Sequence, residues 1–127
     1  MRIRVKTLFV TAAFCAYGAA VPAAGTAVPS YVEFEVEHLL SFVENSGCEY
    51  FRNGFWYGPK DAVAHLRMKY DYLNGFGRIH TAEDFIDLAA SKSSISGLPY
   101  RIKCNNGPEQ MSAPWLRDEL LHFRATR

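Results

Sequence analysis

His65 and Lys69 stand four residues apart in a stretch whose apolar residues recur at helical spacing, so their side chains stack on one side of a helix. An imidazole there suits a general base or a ligand contact, and an ammonium beside it suits an anion. The plainer alternative has His65 bonding a backbone carbonyl and Lys69 lying along the core with its charged head in water. A second polar group, Ser93, Ser94 and Ser96, precedes Gly97. Hydroxyls in such a turn usually satisfy nearby backbone groups. The alternative is a small-anion or peptide-terminus site shared with Arg52, Arg78 or Arg101, with Tyr100 near it.

Enzyme chemistry finds less support. A hydrolase would use Ser94 or Ser93 as nucleophile and His65 as its base, with an acid in reach. The residue types are present, but no Gly-x-Ser-x-Gly elbow is. His38, His65, His80 and His122 are scattered, with no His-x-x-x-His, Cys-x-x-Cys or carboxylate cluster, so no metal is expected. No glycine-rich phosphate loop follows a strand, and no cofactor is expected. Phe55-Trp56-Tyr57 would suit a sugar or peptide platform if exposed, but strand alternation should bury one or two of them.

The elements that must position these residues are legible in order. Ser30 with Glu33 fits a capping box, and Val32, Val36, Leu39, Leu40 and Val43 form one helical stripe that Gly47 ends. Glu33, Glu37 and Glu44 lie opposite the stripe. Asn53-Gly54 between aromatic flanks predicts a hairpin of strands 48–52 and 55–57. Gly58-Pro59 opens a second helix to about Leu73, burying Ala62, Val63, Leu66, Tyr70 and Leu73. Thr81, with Asp84 three residues on, caps a third helix whose stripe is Ala82, Phe85, Ile86 and Ala89. Pro99–Cys104 alternates as a strand, Asn105–Met111 reads as a polar loop, and Ser112 caps a last helix with Leu116, Leu120 and Phe123 facing in.

Residues 1–25 read as a cleaved secretory signal peptide, leaving 26–127 as a single small domain. Arg2, Arg4 and Lys6 precede an apolar run from Leu8 to Tyr17, and small residues then offer cleavage after Ala20, Ala23, Ala24 or Ala27. That run is shorter than the ~20 residues a bilayer span needs, and no later segment is apolar enough to cross a membrane. Phe14 precedes Cys15 where lipidation wants a small residue. Without the leader, 11 Lys+Arg face 13 Asp+Glu, a net charge of about −2, which argues against a nucleic-acid binder. Cys48 and Cys104 then remain, and two cysteines in an exported domain suggest one disulfide. If they face each other on antiparallel neighbours, Tyr50 faces Ile102 and Arg52 faces Tyr100. The expected fold is α+β: about four helices packed on a small three-stranded antiparallel sheet with one disulfide.

Four segments in this order, Phe51-Arg-Asn-Gly54, Ala62-Val-Ala-His-Leu-Arg-Met-Lys69, Arg78-Ile-His-Thr-Ala-Glu-Asp-Phe-Ile86 and Ala90-Ser-Lys-Ser-Ser-Ile-Ser-Gly-Leu-Pro-Tyr100, resemble the YfeK-like family of small periplasmic bacterial proteins, a domain of unknown function. The resemblance covers about residues 35–125. It implies a periplasmic or secreted bacterial protein and brings no activity, ligand or catalytic residue. The cysteine pair is not universal there, which implies a structural disulfide. The expectation is therefore a non-enzymatic envelope protein that binds a partner protein, peptide or small ligand. Its surface would join Arg52, His65, Lys69, Arg78, Ser93, Ser94, Ser96 and Tyr100. The alternative is a small hydrolase using Ser94 or Ser93 with His65.

Overall fold

Helix α1 (Tyr31–Asn45) begins where Ser30 Oγ accepts the Glu33 N–H at 3.1 Å, the Ser30 half of the capping box. The computed structural model describes residues 30–127 and Gly18, so the leader and its cleavage sites lie outside the described residues. The apolar stripe of α1 buries Val36, Leu39, Leu40 and Val43. Ser46 caps the helix, and Gly47 follows at φ +68°, a left-handed position that suits glycine.

The chain then makes a hairpin, β1 (Cys48–Arg52) and β2 (Phe55–Tyr57). Asn53 and Gly54 have φ of 50° and 88°, the two positive values a type I′ turn requires. Helix α2 (Pro59–Gly75) starts on Pro59 and buries Ala62, Leu66 and Tyr70, with Val63 and Leu73 partly covered. Helix α3 (Ala82–Phe85) carries a complete capping box between Thr81 and Asp84. It widens directly into a π-helical turn, Ile86–Ala90, where simple periodicity reads one continuous α-helix. Strand β3 (Arg101–Cys104) follows, and helix α4 (Ser112–Ala125) closes the domain.

The sheet has four antiparallel strands in the order β2-β1-β3-β4, one more than the sequence predicts. The added strand is β4 (Glu109–Met111), which pairs with β3 as an edge. Asn105 and Asn106 both take positive φ and turn the chain back, so three exposed residues, two of them polar, become a strand through pairing alone. The Cys48–Cys104 disulfide is formed, and the register Cys48↔Cys104, Tyr50↔Ile102 is the one the cysteines imply.

Ser112 is not a cap. It is the first residue of α4, fully buried, and its Oγ donates to the Ala90 carbonyl at 2.8 Å while also meeting the Tyr50 hydroxyl. Burial pushes the Tyr50 phenol up, so it remains neutral. These bonds tie β1, the π-helical turn and α4 at one point. One sheet face, carrying Tyr50, Tyr100 and Ile102, packs with Leu39, Leu66, Phe85, Ile86 and Leu116 in a single core. Each such side chain contributes about 1.5–3 kcal/mol on burial. Among the described residues, no helix is long and apolar enough to cross a membrane.

Candidate functional site

Three elements converge at one end of the core. The hairpin supplies Arg52, two residues beyond buried Tyr50 on the same strand face. Tyr57 pairs opposite Tyr50, and the Arg52 guanidinium lies 4.9 Å from the Tyr57 ring centre. Helix α2 supplies His65 and Lys69 from one side. The third element is the loop Ser91–Tyr100. It is closed by Tyr100 N–H to the Ser91 carbonyl at 2.9 Å, Ser93 N–H to the Leu98 carbonyl at 3.0 Å and Gly97 N–H to the Ser93 carbonyl at 3.0 Å.

Between them lies a cleft of about 200 Å³ lined by Arg52, Asn53, His65, Met68, Lys69, Ser93, Ser94, Ile95 and Tyr100. Six residues that the sequence singles out, Arg52, His65, Lys69, Ser93, Ser94 and Tyr100, therefore share one opening. Ser96 stands beside it, donating to Asn53 Oδ1 at 2.7 Å and so pinning the loop to the hairpin turn. Arg78 is exposed beyond the end of α2 and does not line the cleft. Arg101 points to the outer sheet face, where it pairs with Glu109 and lies 4.2 Å from the Phe51 ring centre. An adjoining cavity of about 240 Å³ shares Arg52, His65 and Tyr100 and adds Tyr50, Tyr57, Asp61, Ala62 and Leu66.

Hydrogen bonds join these side chains across the cleft. Lys69 Nζ donates to the Lys92 carbonyl at 2.9 Å and to the Tyr100 hydroxyl oxygen at 3.3 Å. The Tyr100 hydroxyl also meets His65 Nε2 at 3.1 Å. Desolvation, then the charges of Arg52 and Lys69, lowers His65 to about 4, so the imidazole is neutral near pH 7. Desolvation, then Arg52, lowers Lys69 to about 8. Desolvation raises Tyr100, with Arg52 opposing.

The serines divide. Ser93 is buried and its Oγ accepts the N–H groups of Ile95 and Ser96, both at 3.2 Å, an ordinary turn role. Ser94 is exposed on the cleft. His65 Nε2 is bound to Tyr100 rather than to a serine. No group of three or more His, Cys, Asp or Glu stands close enough to hold a metal among the described residues.

Asn53, Met68 and Ile95 were not singled out by sequence. Met68 lies one residue before Lys69 and Ile95 within the serine turn, but only the fold brings the two segments together. Residues 30–124 match the family of unknown function DUF5329. The chain belongs to that family. A relative from Salmonella typhimurium, the "Uncharacterized protein YfeK", is 39% identical to this DUF5329 chain over 74 residues. That match covers 58% of this chain and 60% of the relative's length. No solved structure matches the chain.

Proposed function

We propose that this DUF5329 protein is an exported, non-enzymatic binding protein of the cell envelope whose ligand presents an anionic group to the cleft of Arg52 and Lys69. The observation that carries the reading is a contrast among the cations. Arg67, Arg101, Lys103, Arg117 and Arg124 each sit against a carboxylate. Six described cations stand outside those ion pairs; Lys60, Arg78, Lys92 and Arg127 do not line the cleft, whereas Arg52 and Lys69 share it, and no carboxylate lines it with them. Asp61, in the adjoining cavity, is the nearby acidic lining residue. Two partly desolvated like charges destabilise each other, and an anion between them relieves both. Export is supported by the basic, apolar and small-residue order of the leader, and by a disulfide between the two remaining cysteines.

The hydrolase reading keeps one observation, that Ser94 and His65 line one cleft. Against it, His65 Nε2 is hydrogen-bonded to the Tyr100 hydroxyl rather than to a serine. Covalent labelling of Ser94 by a fluorophosphonate would favour that reading over ours.

The test is a titration of oxidised, isotope-labelled protein with acetate and with phosphate at constant ionic strength. The expected result is saturable shifts of the Asn53, Lys69 and Ser94 amides, lost in Arg52→Gln and Lys69→Gln. Anion binding stabilises charged Lys69, so affinity should fall as pH rises above about 8. Shifts that are absent, or equal to those given by chloride, would sink the proposal.

A further inference from the structure

Beyond the cleft, α2 and the Phe76 that caps it leave an apolar row in water. Met68, Tyr72 and Phe76 follow at intervals of four residues and are 61%, 67% and 71% exposed. A groove of about 310 Å³ runs beneath part of this row, lined by Met68, Lys69, Tyr72, Leu73 and Ser94. It shares Met68, Lys69 and Ser94 with the cleft. The two openings are therefore one trough, cationic at the hairpin end and apolar along α2, with the Lys69 ammonium at the join. Its combined size is that of a small-ligand site, commonly about 300–1,000 Å³.

We propose that this trough binds the C-terminal residues of a peptide, with the main-chain carboxylate at Arg52 and Lys69 and the last apolar side chains along Met68, Tyr72 and Leu73. The inference rests on the anion-binding reading above and deepens it. Charge complementarity selects the occupant: two cations and no carboxylate line the cleft, which suits a carboxylate, and the adjoining groove suits apolar groups within one or two residues of it. A peptide C-terminus has both at that spacing. A fatty acid also joins a carboxylate to an apolar chain, but it carries no polar group beyond the carboxylate. The groove wall also offers a hydroxyl at Ser94, which suits the amide groups of a peptide and has no counterpart in an alkyl chain.

The experiment compares four probes on the oxidised protein by amide shifts and calorimetry: acetate, N-acetyl-Gly-Leu-Leu as the free acid, the same peptide as its C-terminal amide, and octanoate. The free acid is expected to bind at least about ten-fold more tightly than acetate, and about ten-fold more tightly than the amide, since a charged hydrogen-bond partner is lost. Its shifts should extend to Met68, Tyr72 and Ser94, and Tyr72→Ser should remove most of its gain over acetate. Equal affinity of acid and amide, or octanoate binding as tightly as the peptide, would overturn the inference. Acetate binding in the cleft without any gain for the peptide would also overturn it, while leaving the anion-binding reading standing. If no probe moves the cleft amides, both readings fall.

Discussion

His65 is neutral because its site offers a proton nothing to gain. Its ring is partly desolvated, and Arg52 and Lys69 repel a positive charge there. The native pKa of about 4 lies below the ordinary 6.5, so between those values the unfolded chain binds a proton that the folded chain does not. Stability is then lost as pH falls from about 6.5 towards 4. His65→Gln keeps a polar group near Tyr100 and cannot titrate, so its melting temperature should be flatter over that window. Identical pH dependence in the two proteins would refute the assignment. Lys69 behaves in the same sense at higher pH: stability should rise from about 8 towards 10.5, as the unfolded chain holds its proton longer. An anion in the cleft should flatten that limb, because it restores the charge on Lys69.

Among the elements, α4 is tied to two other helices at once by the Arg124 side chain. Arg124 donates to Glu35 of α1 at 2.7 and 2.8 Å and to Glu83 of α3 at 2.5 and 3.2 Å. The Glu35 side chain is 1% exposed, and the Arg124 hydrogen bonds hold its carboxyl below the usual range. Arg124→Met would leave that carboxylate buried and unpaired. Water reaches the arginine, so the expected cost is about 2–3 kcal/mol, at or below the low end for a broken buried pair. Urea unfolding at pH 7 measures it, and a change under about 0.5 kcal/mol, as at an ordinary surface position, would refute the role. The network's stabilisation, unlike that of His65, is lost only as pH falls below the carboxylate range. The burial of Glu35 was not legible in sequence, because its partner lies 89 residues away. Strand β4 and the π-helical turn escaped for a related reason: three exposed residues, Glu-Gln-Met, and a stripe interrupted by one widened turn, carry no local period of their own. What was legible had local causes, namely the Asn53-Gly54 turn, the Thr81–Asp84 box and the helical stripes. The cleft was legible by halves. His65 and Lys69 could be placed on one helix side, but their meeting with Ser94 and Arg52 depends on how the loop folds across α2.

For the whole molecule, the Cys48–Cys104 bond is placed where it constrains most. It joins the two central strands of the sheet across 56 residues of sequence, a span that contains the hairpin, α2, α3 and the candidate site. Closing a loop of that length removes unfolded-state entropy equivalent to roughly 4 kcal/mol. A domain of this size has a total stability of about 5–15 kcal/mol, so the bond decides much of whether the cleft exists at all. Replacing both cysteines by alanine should cost about 2–4 kcal/mol in urea unfolding, with the sheet register kept by Tyr50 and Ile102. Reduction of the native bond should have the same effect. The dependence carries a consequence for location. A chain that relies on this bond is stable where thiols oxidise, and marginal where they are kept reduced. Thiol alkylation of fractionated bacterial cells, with and without reductant, tests the link: both cysteines should be protected in the envelope fraction until reductant is added. A cytoplasmic pool with both thiols free and full folded stability would separate fold from disulfide, and would remove this support for the export proposed above.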